Sequence, residues 1–197
     1  MRGTVFGSLL CSLLLVLAGC GKHATTQSVT DATQEFGQAK FDACGLIEKE
    51  EIEAIQESPI KETKSSARSD AGFRVSQCFY TAAEFSKSVS LAVTQRDLSQ
   101  PTGRSVKAFW EETFGRYDDE KKESDQGRSE EERKESIPPK RIDGIGEDAF
   151  WSRNRVGGAL YVLKKDTFIR ISVGGPDSEE SRIDKSKALA AKALSRL

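Results

Sequence analysis

Phe73-Arg74-Val75-Ser76-Gln77-Cys78-Phe79-Tyr80-Thr81 decides the fold class. Phe73, Val75, Gln77 and Phe79 alternate with Arg74, Ser76, Cys78 and Tyr80. A period of two, rich in aromatic residues, is strand periodicity. Ser88 to Arg96 repeats it, with Val89, Leu91 and Val93 on one face and Ser90, Ala92 and Thr94 on the other. The two runs predict a hairpin joined by a loop near Ala83 to Lys87.

Upstream, Asp42 is placed to cap a short turn through Cys44, Leu46 and Ile47. A helix over Lys49 to Gln56 follows, with Ile52 and Ile55 on one face, and Pro59 ends it. Ile60 to Ser66 reads as a weak, polar, edge-like strand. Downstream, Pro101-Thr102-Gly103 breaks the sheet. Ser105 then caps a helix to about Phe114, with Val106, Phe109, Trp110 and Phe114 in one apolar stripe and Gly115 as its stop. Such a stripe at helical spacing reads as core.

Asp118 to Ser136 has no aliphatic or aromatic residue and cannot bury enough to offset its ordering entropy. Ser129-Glu130-Glu131-Glu132 resembles a capping box, but the segment reads as a charged insertion near residues 118–140, ended by Pro138-Pro139. Regular structure resumes with a strand over Asp148 to Arg153. Gly158 to Lys164 and Thr167 to Gly174 form a hairpin turning at Lys165-Asp166. Asp177 or Ser178 caps a final helix whose buried stripe is Ile183, Ala190, Ala193, Leu194 and Leu197. Lys192 and Arg196 suit the negative end of that helix. Strands in groups with helices between them predict an α+β domain, an antiparallel sheet of about six strands packed against helices. The two halves hint at a repeated β-β-β-α unit.

The N-terminus carries an address. Arg2 precedes an apolar run from Val5 to Ala18, closed by Leu17-Ala18-Gly19-Cys20. That is the layout of a secretory signal, and its ending resembles a bacterial lipoprotein signal. The run is shorter than the roughly 18 apolar residues of a membrane span. Residues 1–19 are therefore expected to be removed, and Cys20 is the expected lipidation site, attaching the chain to a membrane from outside the cytoplasm. Two or more acyl chains, at about 0.8 kcal/mol per buried methylene, hold a protein stably. Residues 20–40 form the expected lipidated tether. As a coil of about 18 residues its polar part would reach roughly 23 Å. Residues 41–197 form one domain.

Of four cysteines, Cys11 leaves with the signal and Cys20 carries lipid, so Cys44 and Cys78 remain for one disulfide. Closing that loop of about 35 residues would stabilise the fold by roughly 3 to 4 kcal/mol. The only histidine, His23, lies in the tether. A Ser-His or Cys-His pair needs an imidazole inside the fold, so no catalytic residue is nominated. Ser58-Pro59-Ile60-Lys61 matches S-x-x-K without its partner motifs. Gly144-Ile145-Gly146-Glu147-Asp148-Ala149 fits a loose G-x-G-x-x-A pattern, but it leads into a strand rather than a helix and reads as a turn. No metal, cofactor-binding or zinc site is expected. With 30 basic and 31 acidic residues the net charge is −1, which leaves no basic footprint for nucleic acid.

Asp42-Ala43-Cys44-Gly45-Leu46-Ile47, Cys78-Phe79-Tyr80, Gly144 to Trp151 and the strand-plus-helix ending together resemble an uncharacterised, domain-of-unknown-function lipoprotein family best known from actinobacteria. The likeness spans nearly all of Phe41 to Leu197. It implies that Cys44 and Cys78 pair and implies no enzymatic activity. The charged insertion departs from the compact pattern of that family.

Two functions follow as expectations. The first is a non-catalytic binding or accessory protein that docks an envelope protein partner through a sheet face or edge. The second is a carrier or sensor holding a small hydrophobic or cell-wall-derived ligand in a cavity lined by residues such as Phe109, Trp110, Trp151 and Tyr161. In a two-membrane host the site would be the outer membrane, because Gly21 is not the aspartate associated with inner-membrane retention. In a one-membrane host it would be the outer leaflet of the cytoplasmic membrane.

Overall fold

Strand β1 (Ile60–Asp70), β2 (Phe73–Ala82), β3 (Val89–Arg96), β4 (Lys140–Arg141), β5 (Asp148–Asn154), β6 (Gly157–Lys164) and β7 (Thr167–Val173) form one antiparallel sheet. Their order is β1-β2-β3-β7-β6-β5-β4. This is a computed structural model, and it describes residues 42–100, 103–119, 137–154 and 157–197. The expected signal, Cys20, His23, the tether and most of the charged insertion lie outside the described residues.

The α+β class expected from the sequence is the one observed, with seven strands in place of about six. The additional strand is the two-residue β4, too short for periodicity to register. β1 also runs four residues past Ser66, to Asp70. Its turn is Ala71-Gly72, both residues having positive φ (48° and 84°). Two positive φ values make the turn whose twist matches that of the flanking strands. The chain thus forms a three-stranded meander (β1-β2-β3) and a four-stranded one (β4-β5-β6-β7), which meet where β3 pairs with β7.

The helices divide between the faces. A 3-10 turn (Ala43–Leu46), α1 (Lys49–Gln56) and α4 (Glu179–Ser195) cover one face. There Ile47, Ile52, Leu189, Ala190 and Ala193 pack on Leu91, Leu160, Val162, Ile169 and Ile171. The other face receives α2 (Val106–Trp110), a π turn (Glu111–Gly115) and α3 (Arg116–Asp119). Gly115 therefore does not stop the helix. The rod continues because Phe114 and Tyr117 still have sheet beneath them. Phe114 stacks flat on Phe150, with ring centroids 4.9 Å apart and planes 5° apart.

β2 turns Ser76, Cys78, Tyr80 and Ala82 inward, and leaves Gln77 and Phe79 exposed. The N-terminal turn explains this choice. Cys44 and Cys78 form a disulfide. Ala43 N–H donates to Ser76 Oγ (3.1 Å), and Tyr80 O–H donates to the carbonyls of Ile47 (3.1 Å) and Cys44 (3.3 Å). Burial pushes the Tyr80 phenol up to about 12, so it remains a donor at any physiological pH.

Three caps behave as the sequence implies. Asp42 accepts from Cys44 N–H and Ser105 from Ala108 N–H. Ser178, rather than Asp177, caps α4 and accepts from Ser181 N–H. Asp177 instead accepts from Lys185 Nζ at 2.7 Å. Arg196 does more than complement the end of its helix. It reaches α1, donating to both oxygens of Glu51 (2.7 and 3.0 Å) and to the Leu46 carbonyl (2.9 Å). With Lys192 also 3.3 Å away, these donors pull the Glu51 carboxyl down to about 2, Arg196 being the largest cause.

Two outcomes follow. Reducing the disulfide, or replacing both cysteines by alanine, should lower unfolding stability by about 3 kcal/mol, read in a urea titration. Pairing holds Glu51 below its ordinary value of 4.5, so its contribution is complete at neutral pH and is lost as pH falls from 4.5 towards 2. Glu51→Gln should therefore lower the melting temperature at pH 7, by about 1 kcal/mol of stability given the screening of a surface ion pair. The gap from wild type should close at the acid end.

Candidate functional site: the open half of the sheet

The register sets out the face opposite the disulfide as rows of neighbouring side chains. Arg68, Val75, Thr94, Phe168, Leu163 and Asp148 make one row. Ser66, Gln77, Ala92, Arg170, Tyr161 and Phe150 make the next, and Lys64, Phe79, Ser90 and Ser172 a third. α2 and the π turn cover the Phe168–Asp148 end of the first row and the Phe150 end of the second. Trp110 packs 5.9 Å from Phe168 and 6.1 Å from Phe150, and Phe109 stacks on Phe168 at 5.8 Å. The remaining positions, on β1, β2, β3 and β7, have no helix above them among the described residues.

This open half holds a shallow depression of about 170 Å³ lined by Lys64, Ser66, Gln77, Phe79, Ser90, Ala92 and Arg170. Phe79 is 37% exposed and Phe85, from the connection between β2 and β3, is 71% exposed. Their ring centroids lie 6.4 Å apart. The 3-10 turn Phe85–Lys87 is set firmly against the sheet. A Cβ added to Gly174 would stand 2.1 Å from the Ser86 carbonyl oxygen, so only glycine permits that approach. Arg170 donates its Nε–H to the Tyr161 hydroxyl (3.1 Å) and lies over its ring. Among the described residues neither Lys64 nor Arg170 has an ion-pair partner. The lining contains no carboxylate or imidazole. It offers cations, amide and hydroxyl groups and the Phe79 ring, with Phe85 beside it, which suit a partner carrying an acid beside an apolar side chain.

The four aromatic residues expected to line a ligand cavity do not all meet. Phe109, Trp110 and Tyr161 belong to the cluster under α2, whereas Trp151 is buried on the opposite face. Trp151 lies flat over Gly158, where an added Cβ would fall 2.2 Å from the indole. Period-two alternation explains the separation, because adjacent residues Phe150 and Trp151 necessarily point to opposite faces.

The Gly144 to Ala149 run is a turn, as its sequence context implies, and it is a clamp. Gly146 has φ 66° and approaches β6 so closely that a Cβ would meet Val162 at 2.4 Å. Glu147 then accepts from Lys165 N–H (2.7 Å) and pairs with Lys107 (3.3 Å), which together lower its pKa. Asp148 accepts from the Trp110 indole N–H (2.8 Å) and pairs with Arg141 (3.0 Å). Two consecutive acids thus hold α2 against the sheet. Cys44 and Cys78 join the core of the covered face, and Cys78, between Gln77 and Phe79 on β2, also borders the depression.

Phe85, Lys64 and Arg170 were not singled out from sequence. For Phe85 a signal existed, a large aromatic in the otherwise polar Glu84-Phe85-Ser86-Lys87. Lys64 and Arg170 are 106 residues apart in sequence, and only the β1-β2-β3-β7 order brings them to one surface. Comparison with protein-family models, curated proteins and solved structures returns no match for this chain.

Asp148→Ala should leave the Trp110 indole without an acceptor and cost about 1–3 kcal/mol, measured by chemical denaturation with tryptophan fluorescence. Asp148→Asn keeps an acceptor oxygen and should lose less.

Proposed function

We propose that this chain is a non-catalytic binding or accessory lipoprotein of the cell envelope, held on the outer side of a membrane through lipid on Cys20. Its open sheet face is the docking surface for a neighbouring envelope protein. The observation carrying this reading is the exposed Phe79–Phe85 pair beside the uncompensated cations Lys64 and Arg170. Aromatic anchors flanked by charged groups supply most of the energy at protein interfaces, and the cations select an acidic counterpart. The resemblance to the actinobacterial lipoprotein family and the lipobox-like Leu17-Ala18-Gly19-Cys20 support the envelope location. The disulfide agrees with an oxidising compartment.

Photoreactive residues at Gln77 and Phe85 in the host's intact envelope should yield one discrete cross-linked protein. The same group at Asp184, exposed on α4, should not. Lys64→Glu with Arg170→Glu should abolish the adduct. Cross-linking that is absent, or equal at all three positions, would overturn the docking reading. In fractionation, Cys20→Ala with the signal removed should move the chain from membrane to soluble material.

A further inference from the structure

The two edges of the sheet are built differently. One ends in β4, two residues long and preceded by Pro138-Pro139. Short length and proline are standard means of blocking strand addition. The other edge is β1, eleven residues with no proline, and exposed along nearly its whole length on both faces. Its only irregularity is a register shift between Ile60 and Glu62, at its first turn of chain.

Which backbone groups are free follows from the β1–β2 turn. Asp70 and Phe73 close a two-residue hairpin and so form a hydrogen-bonded pair. Even-numbered residues from Glu62 to Asp70 therefore bond to β2. The N–H and C=O groups of Thr63, Ser65 and Ala67 point outward along the free edge.

We propose that a second copy of this chain occupies that edge, β1 pairing antiparallel with β1 of the partner copy about a two-fold axis through Ser65. In this register Thr63 opposes Ala67 of the other copy, Lys64 opposes Ser66, and Glu62 opposes Arg68. The axis is perpendicular to the sheet, so paired residues share a face and the Glu62–Arg68 pair occurs twice. Neither side chain has a partner within its own chain among the described residues. The neighbouring registers are repulsive. Sliding the axis to Ser66 sets Lys64 against Arg68 and Glu62 against Asp70, and sliding it to Lys64 sets that lysine against itself. Opposed charges on adjacent strands attract and like charges repel, so the Ser65 register is favoured over both of its neighbours. At its centre, Ser65 and Ser66 keep both faces free of bulky side chains.

The product would be a fourteen-stranded sheet, seven strands from each copy. Its two open faces would lie on the same side, and the Lys64–Phe79 row of each copy would continue into the Ser66–Gln77 row of the other. Both Asp42 ends would also fall on one side, since the 3-10 turn packs on the covered face. Two copies could then be tethered to one membrane. The pairing itself does not depend on what the open face binds. Strand addition alone is a small interface, so the dimer should be weak and concentration-dependent.

The test is the mass of the chain purified from its host envelope, read in multiples of its own monomer mass, by sedimentation equilibrium over a concentration series in neutrally buoyant detergent. Wild type should pass from monomer to dimer. Glu62→Arg and Arg68→Glu should each weaken association at least tenfold, and the double exchange should restore it. Ser65→Pro removes an outward N–H, which an edge strand tolerates. It should give a monomer with an unchanged melting temperature. A wild-type monomer throughout, single exchanges without effect, or a double exchange that fails to restore the dimer would each overturn the proposal.

Discussion

Everything in this domain depends on how the N-terminal turn is fastened to β2. The Cys44–Cys78 bond is the covalent part, and Ser76 and Tyr80, two residues to either side, make hydrogen bonds to the same turn. Residues 76, 78 and 80 share a face by the pleat of the strand. Fastening them decides which side of β2 is inside. That choice propagates, because Cys78 pairs with Leu91 and Leu91 with Ile171. Each strand's aliphatic side is thereby aligned with its neighbour's, and α4 finds a continuous apolar floor. A slip of one residue would bring Gln77 and Phe79 inward and turn every apolar set outward.

The opposite face is organised by a different chemistry. Among the described residues its cover is one short rod whose aromatic side chains pack on Phe73, Phe150 and Phe168. Aromatic pairs add attraction beyond the area they bury, so a small cover suffices where it lies. The acids that follow Gly146 hold it there, Glu147 through Lys107 and Asp148 through the Trp110 indole. Because the rod is short, it leaves the β1-side half of the face open. The open half keeps polar rows with Phe79 among them, and Phe85 stands beside Phe79 on a turn fixed by the close approach of Gly174. An aromatic pair so fixed loses little freedom on contact with a partner.

Covered and open faces, short and long edges divide the molecule into a packed half and an exposed half. The β4 edge, Trp151 over Gly158 and the Glu51–Arg196 contact belong to the first. β1, the Lys64 and Arg170 cations and the Phe pair belong to the second. Stability is concentrated at the disulfide and the aliphatic core, so the exposed surface can vary without loss of fold.

Much of the architecture was legible in the chain. Alternation over Phe73 to Thr81 and Ser88 to Arg96, caps at Asp42 and Ser105, and the Lys165-Asp166 turn are local signals, governed by periodicity and by side chain-to-backbone hydrogen bonds. They determined the α+β class, the succession of elements and the turn-forming role of the Gly144 run. Tertiary structure decided what depends on distant neighbours. The helix passed Gly115 because Phe150 and Tyr161 offered rings to Phe114. Trp110 and Trp151 went to opposite faces because Asp148 holds one and Gly158 admits the other. The open patch exists only because β7 lies beside β3, which brings Arg170 into one row with Ser66 and Gln77. A sequence encodes which residues alternate, whereas strand order across a sheet is set by the packing of all its faces at once.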